Sequence, residues 1–251
     1  MERVIALVSS IDDEYERGCF FKCLLPIGED KVEMLSDDVW KAIAEHTESE
    51  LKRFLAKGEL DRDVRETVVE ISRVTSVHPS EGVVKTLQEF LKLGDHEINF
   101  SIVAMLVLIG AKSIPKDVIT ALAEDPEYAS PLQNLLQMEN RQELFPKQFS
   151  DPVYLAKSDM VQWLCYPTEL GKAPDEIEFL GKIRYFFKRE TFYVFKFRSN
   201  SDTLDEKSKN EWLIGWSQRD GGTFSTFDLL SRYEGKTVKE TLKNIRKKLI
   251  G

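Results

Sequence analysis

The sequence predicts an α+β protein in which a stack of helical hairpins, or α-solenoid, precedes a small antiparallel sheet and a C-terminal helix. Apolar residues recur at helical spacing through the first two thirds of the chain, and from residue 177 they alternate as in strands. The predicted strands follow one another without intervening helices, which is typical of an antiparallel sheet. We therefore divide the chain into a helical domain, residues 1–166, and a small α+β domain, residues 167–251.

One helix is predicted to begin after Ser36 and to end at Gly58. Its apolar positions, spaced by three or four residues, are Trp40, Ile43, Thr47, Leu51 and Phe54. Further helices begin at the N-cap residues Asp61, Ser80 and Asp95. Shorter helices follow Ser113, Asp125-Pro126 and Asp151-Pro152. The domain should therefore contain helices and no strand after its first ten residues.

Three of the predicted helices end in a glycine, at Gly58, Gly94 and Gly110. The first interval is 36 residues and the second is 16, which fits one two-helix repeat followed by a neighbouring helix. An irregular helical bundle would also contain such glycines, so both arrangements stay open. The side chains predicted to be buried on central stripes are Trp40, Ile102, Leu106 and Ile109.

Residues 36–140 resemble helical repeat proteins of the HEAT/armadillo type in repeat length and apolar pattern. A second likeness lies in the segments Leu144–Pro146, Leu155–Asp159 and Trp163–Glu178, which resemble the C-terminal part of bacterial HEAT-repeat proteins. The resemblance implies a solenoid architecture, and it implies no reaction.

The alternation after residue 176 predicts an antiparallel hairpin. The residues predicted to share one face of its first strand are Ile177, Phe179, Gly181, Ile183, Tyr185 and Phe187. A polar break at residues 188–191 separates this strand from a second one, Phe192–Arg198. A third strand is predicted over residues 211–217 and a helix over residues 237–250. The helix should cover the sheet.

Composition excludes several classes of protein. Hydrophobic residues make up 42% of the chain and charged residues 31%, which excludes collagen-like, mucin-like and wholly disordered chains. The longest apolar run, Ile102–Ile109, has eight residues, whereas a membrane span needs roughly 20. No secretory signal is visible, so the expected location is the cytoplasm. Cys19, Cys23 and Cys165 lack the paired CxxC units of a disulfide framework or zinc site.

Candidate chemistry is sparse. The sequence contains no Walker A, GxGxxG, GxSxG or HExxH motif. The segment Asp95–Glu97 is the densest group of candidate catalytic side chains, but it is also typical of the first turn of a helix. Asp175, Glu176 and Glu178 fit the solvent face of a strand better than a cation site. We therefore predict no catalytic residue, no metal ligand and no cofactor, and do not expect an enzyme.

Charge is unevenly distributed. The chain has a net charge of −8, yet residues 175–251 hold 16 Lys and Arg against 12 Asp and Glu. The predicted hairpin contributes the basic residues Lys182, Arg184, Lys188, Arg189, Lys196 and Arg198. On the last helix, the basic residues predicted to form a solvated face, a face docked on the acidic helical half, or a face for a polyanion are Lys239, Lys243, Arg246 and Lys247. The first two are favoured, because the whole chain is acidic. Tyr193, Phe195 and Phe197 would stack bases if exposed and form core if buried.

Functions from different classes stay open. The favoured one is a non-enzymatic protein-interaction or scaffold module, in which the solenoid presents a surface to a partner protein and the α+β domain caps its end. The alternative is a nucleic-acid-binding protein that uses the basic C-terminal domain. A third interpretation, an enzyme with its site near residues 163–174, has no set of residues to support a particular reaction. No membrane partner is expected.

Overall fold

A computed structural model of the chain describes residues 36–185, 190–204, 208–220, 223–225, 231–232 and 237–250. Helices precede an antiparallel sheet, and one further helix follows it. The predicted α+β fold class is therefore confirmed. The chain forms two compact units, residues 1–119 and residues 120–251.

The helices of the N-terminal unit follow the predicted stripes and caps. They are α1 (Asp37–Lys57), α2 (Arg62–Val77), α3 (Glu81–Phe90) and α4 (His96–Leu108). The side chain of Asp61 accepts a hydrogen bond from Val64 N at 2.9 Å, and that of Asp95 accepts one from Ile98 N at 3.1 Å. Both residues are thus N-caps, as their positions in the sequence predict.

Alternate helices of this unit pack against each other, α1 against α3 and α2 against α4. Ile102 and Leu106 are fully buried, as predicted. The prediction is wrong for Trp40 and Ile109, which are half-buried. Trp40 borders a cavity, and Ile109 lies just beyond the end of α4.

Helix α5 (Lys116–Glu124) crosses the border between the two units, and α6 (Ala129–Met138) and α7 (Pro152–Leu164) follow it. Asp151 caps α7 as predicted, since its side chain accepts a hydrogen bond from Val153 N at 2.7 Å. The predicted helix start at Asp125-Pro126 is wrong. Asp125 Oδ1 accepts a hydrogen bond from Glu127 N within a turn, and α6 begins only at Ala129. Short 3₁₀ turns lie at Leu91–Leu93, Gln142–Leu144 and Lys147–Phe149.

The sheet contains five described strands: β1 (Glu176–Tyr185), β2 (Glu190–Arg198), β3 (Leu213–Asp220), β4 (Thr223–Ser225) and β5 (Ser231–Arg232). They lie in the order β1-β2-β3-β4, and β5 also pairs with β3. β1 and β2 form the predicted antiparallel hairpin. The last helix, α8 (Val238–Ile250), is also as predicted.

A β-bulge changes which residues of β1 share a face. Phe179 pairs with Phe195, whereas Gly181 pairs with Val194, so the register shifts at Leu180. One extra residue moves every later side chain to the opposite face. The prediction that Ile177 and Phe179 share a face with Gly181 and Ile183 is therefore wrong. Phe187 lies outside the described residues.

The two faces of the sheet bury different clusters. On one face, Phe195 and Phe197 pack against Met160 and other residues of α7. On the other, Ile183, Phe192, Val194, Ile214, Trp216 and the α8 residue Ile245 form a second cluster. Gly215 allows α7 to approach β3 closely, because a Cβ at this position would lie 2.5 Å from Met160 Cε. The sheet is thus covered by one helix on each face.

The helix α7 belongs to the same compact unit as the sheet. The border between the units, at Ile119 and Thr120, therefore differs in position from the sequence-based boundary at 166/167. That boundary coincides with the change from helices to strands, since α7 ends at Leu164 and β1 begins at Glu176.

Candidate functional site

A basic groove lies between strand β1 and helix α8, with a volume of about 480 Å³. The residues that line this basic groove are Lys182, Ile183, Arg184, Lys239, Leu242, Lys243 and Arg246. Five of the seven carry positive charge and none carries negative charge. Two elements far apart in the sequence thus contribute cations to one surface.

Helix geometry places the α8 cations on one wall of the groove. Lys239, Lys243 and Arg246 are spaced i, i+4 and i+7, and such positions lie on one face of a helix. Glu240 forms a capping box with Thr237: Thr237 N donates to Glu240 Oε2 at 3.2 Å, and Glu240 N donates to Thr237 Oγ1 at 3.4 Å. The single acidic residue of this helix therefore stabilises its start and does not line the groove.

The floor of the basic groove is apolar. Ile183 is buried, and Leu242 is partly buried against the same cluster. Gly181 allows α8 to lie this close to β1, because a Cβ there would be 2.8 Å from Leu242 Cδ1. Packing of Leu242 onto β1 therefore fixes the distance between the two basic walls.

The positive charge of the basic groove has no acidic partner among the residues that the structure describes. Its five cations are exposed, and none forms an ion pair with another described residue. By contrast, Lys196 Nζ lies 2.8 Å from Glu178 Oε2, and Arg198 pairs with Glu176. Since unpaired cations that converge on one cleft raise its potential, the basic groove should attract anions.

The structure brings most of the predicted docking face together. Lys239, Lys243 and Arg246 line the groove, whereas Lys247 is exposed on α8 but does not line it. Sequence analysis noted Lys182 and Arg184 as basic residues of the hairpin but did not place them beside α8. Their sequence separation from α8 hides this proximity. Lys188 and Arg189 lie outside the described residues.

The three aromatic residues considered for base stacking belong to the core. Tyr193, Phe195 and Phe197 are 8%, 0% and 0% exposed and lie in the cluster beneath α7. Stacking requires an accessible ring face, so these rings form no platform for bases.

The acidic candidates also have structural roles. Asp95 caps α4 and forms an ion pair with Arg65 Nε at 2.8 Å. Asp175 Oδ2 accepts a hydrogen bond from Asn200 N at 2.9 Å, while Glu176 and Glu178 pair with basic residues of β2. Among the described residues, no group of three or more His, Cys, Asp and Glu side chains is arranged to hold a metal ion.

Cys165 lies half-buried just after α7. Burial, followed by the negative charges of Glu127 and Asp125, raises the pKa of this thiol to about 11. Because the thiolate is the reactive form, Cys165 is a poor nucleophile near neutral pH. Cys19 and Cys23 lie outside the described residues. No helix in the described part of the chain is long and apolar enough to cross a membrane.

A second cavity, of about 550 Å³, lies in the N-terminal unit between α1, the end of α2 and the start of α3. The rings of Trp40 and His78 stack at its edge, with centroids 3.7 Å apart and planes inclined by 18°. Burial lowers the pKa of His78, which favours its neutral form. Thr47 and Thr75 donate to carbonyls of their own helices, each at 2.7 Å. The hydroxyls of these two threonines are therefore engaged within their own helices.

Comparison with known proteins found no matching family model, no matching curated protein and no matching solved structure. The resemblance to HEAT/armadillo proteins therefore stays a prediction.

Proposed function

We propose that this protein is a non-enzymatic interaction module whose basic groove binds an acidic segment of a partner protein. The observation that carries the proposal is the convergence on one cleft of five cations, from β1 and α8, that form no ion pair with another described residue. Solvated surface cations are common, but they are usually interspersed with acidic residues. This cleft has none among its lining residues.

An acidic protein segment suits the groove better than a nucleic acid does. The whole chain has a net charge of −8, which repels a long polyanion at distances beyond the groove itself. A short acidic segment gains the local attraction and avoids most of this repulsion, since the Debye length is about 8 Å at physiological ionic strength. The apolar floor formed by Ile183 and Leu242 also matches the aliphatic part of a peptide.

The experiment is a titration of the full chain into fluorescein-labelled oligo-glutamate, followed by fluorescence anisotropy at about 150 mM salt. A single-stranded RNA of matched length is measured beside it. We expect the peptide to bind more tightly than the RNA. Tighter binding of the RNA would favour the nucleic-acid alternative, and no binding of the peptide would contradict the proposal.

Charge reversal tests whether the basic groove is the binding site. The variant Lys239→Glu/Lys243→Glu/Arg246→Glu should bind oligo-glutamate at least about tenfold more weakly, because attraction becomes repulsion at three positions. The matched control reverses three exposed lysines outside the groove, Lys85, Lys112 and Lys147. It changes the net charge by the same amount and should retain most of the binding. An equal loss in both variants would mean that net charge alone governs the interaction.

A further inference from the structure

We infer that the acidic segment binds as an added strand on the free edge of β1, an inference that rests on the proposed function. Among the described strands, β1 lies at one end of the sheet and has β2 as its neighbour. An end strand presents unpaired backbone N–H and C=O groups, which are a template for another extended chain.

The lining of the basic groove follows this edge of β1. Three consecutive residues, Lys182, Ile183 and Arg184, contribute to it. Successive side chains of a strand point to opposite faces, so a groove on one face would be lined by alternate residues only. A groove lined by consecutive residues runs along the backbone edge, where an added strand would lie.

The two walls are of comparable length. On α8 the wall extends over seven residue intervals, from Lys239 to Arg246, which at 1.5 Å per residue is about 10 Å. On β1 it extends over two intervals, from Lys182 to Arg184, which at roughly 3.3 Å per residue is about 7 Å. An added strand of about three or four residues would therefore lie along both walls.

Positive charge lies on both faces of the position that an added strand would occupy. Ile183 belongs to the cluster covered by α8, so the α8 cations lie on that face. Lys182 lies opposite Tyr193 in the hairpin, and the ring of Tyr193 belongs to the cluster beneath α7. The side chain of Lys182 therefore leaves β1 on the face that is covered by α7. Consecutive residues of the added strand would thus meet cations alternately from α8 and from β1. The recognised segment should be a run of consecutive acidic residues in extended conformation.

A second copy of this chain fits the edge poorly. If two β1 edges paired with each other, Lys182 and Arg184 of one copy would face the same cations of the other. Like charges opposite each other destabilise a pair of strands, and lysines on an edge are a common protection against such pairing. The same charges select an acidic strand.

The test uses three oligo-glutamate peptides with the full chain: one unmodified, one N-methylated at alternate residues and one N-methylated at every residue. An added strand donates hydrogen bonds to β1 through one of its two edges. Alternate methylation leaves one edge intact, so this peptide should bind about as well as the unmodified one. Full methylation removes the donors from both edges and should weaken binding at least about tenfold.

Hydrogen exchange provides a second readout, since those amides of residues 182–185 that do not bond to β2 should exchange more slowly when the unmodified peptide is bound. Equal binding of all three peptides would overturn the added strand while leaving the proposed function in place. An equal loss for both methylated peptides would overturn it too. If the unmodified peptide does not bind, the proposed function fails and this inference fails with it.

Discussion

Asp159 is a buried carboxylate, 1% exposed, that connects α7 to two other elements of the C-terminal unit. Ser130 Oγ, in the first turn of α6, donates to Asp159 Oδ1, and Ser217 Oγ on β3 donates to Oδ2 at 3.2 Å. Asp159→Ala would leave both hydroxyls buried without this acceptor. We expect the free energy of unfolding to fall by about 3 kcal/mol, measured by denaturant unfolding of the full chain.

The control for Asp159→Ala also removes the two hydroxyls that this variant leaves without the Asp159 acceptor. Adding Ser130→Ala and Ser217→Ala to Asp159→Ala should recover part of the lost stability, because replacing all partners costs less than leaving some unpaired. A loss below about 0.5 kcal/mol in the single variant would show that this cluster does not stabilise the fold.

His78 should make the stability of the N-terminal unit depend on pH. Burial lowers its pKa below the ordinary value of 6.5, so the unfolded chain takes up a proton at a higher pH than the folded chain does. The contribution of His78 is therefore fully present above pH 6.5 and is lost as the pH falls toward the folded pKa. Relative to His78→Gln, the wild type should lose stability as the pH falls below about 6.5.

The measurement for His78 is denaturant unfolding of both proteins at several pH values. Carboxylates common to both chains cancel in the difference, which isolates the imidazole. A difference that stays constant across this range would contradict the prediction.

Individual residues were predictable where their partners are close in sequence. Asp61, Asp95 and Asp151 cap helices through backbone N–H groups two or three residues away, so the pattern alone identifies them. Asp159 was not found, because its partners are 29 and 58 residues away. The bulge at Leu180 was missed although it has a local signal, since the apolar pair Phe179-Leu180 interrupts the alternation and Gly181 follows it inside the strand.

At the level of elements, α4 offers a test of burial within one helix. Leu106 is 0% exposed and Leu108 is 49% exposed, although both lie in the same apolar run. Leu106→Ala should reduce the free energy of unfolding by about 2 to 5 kcal/mol, and Leu108→Ala by less than about 0.5 kcal/mol. Denaturant unfolding of the two variants measures the difference. Similar losses in both would mean that α4 does not pack as described.

Helices and strands were predicted more reliably than the surfaces they form. The spacing of apolar residues gave α1 and α2 nearly to their ends, because that spacing reflects one buried face. The hairpin of β1 and β2 was predicted from alternation in the same way. Only the α8 wall of the basic groove was predicted, because the spacing of its cations is local in the sequence. The position of α8 beside Lys182 and Arg184 depends on tertiary packing, which the sequence pattern does not reveal.

For the whole molecule, the net charge and the charge of the basic groove have opposite signs. The chain as a whole is acidic, with a net charge of −8, whereas the basic groove of the C-terminal unit is lined by five cations and no acidic residue. Lys196 and Arg198, basic residues of the same hairpin, are half-buried and are paired with acidic residues of β1. A ligand that interacts with this protein through charge should therefore be short and local, because a longer anion also meets the repulsion of the remaining surface.

We predict that the sheet needs helix α7 in order to fold. Met160 and Leu164 of α7 cover Phe195 and Phe197, so a fragment of residues 167–251 would expose one whole apolar face of the sheet. A fragment of residues 116–251 retains α7 and begins at the first residue of α5. We expect the longer fragment to unfold cooperatively on heating, followed by circular dichroism. The shorter one should lack a cooperative transition and bind the dye ANS, as chains with exposed apolar surface do. Cooperative unfolding of residues 167–251 without ANS binding would place the independent folding unit at the sequence-based boundary instead.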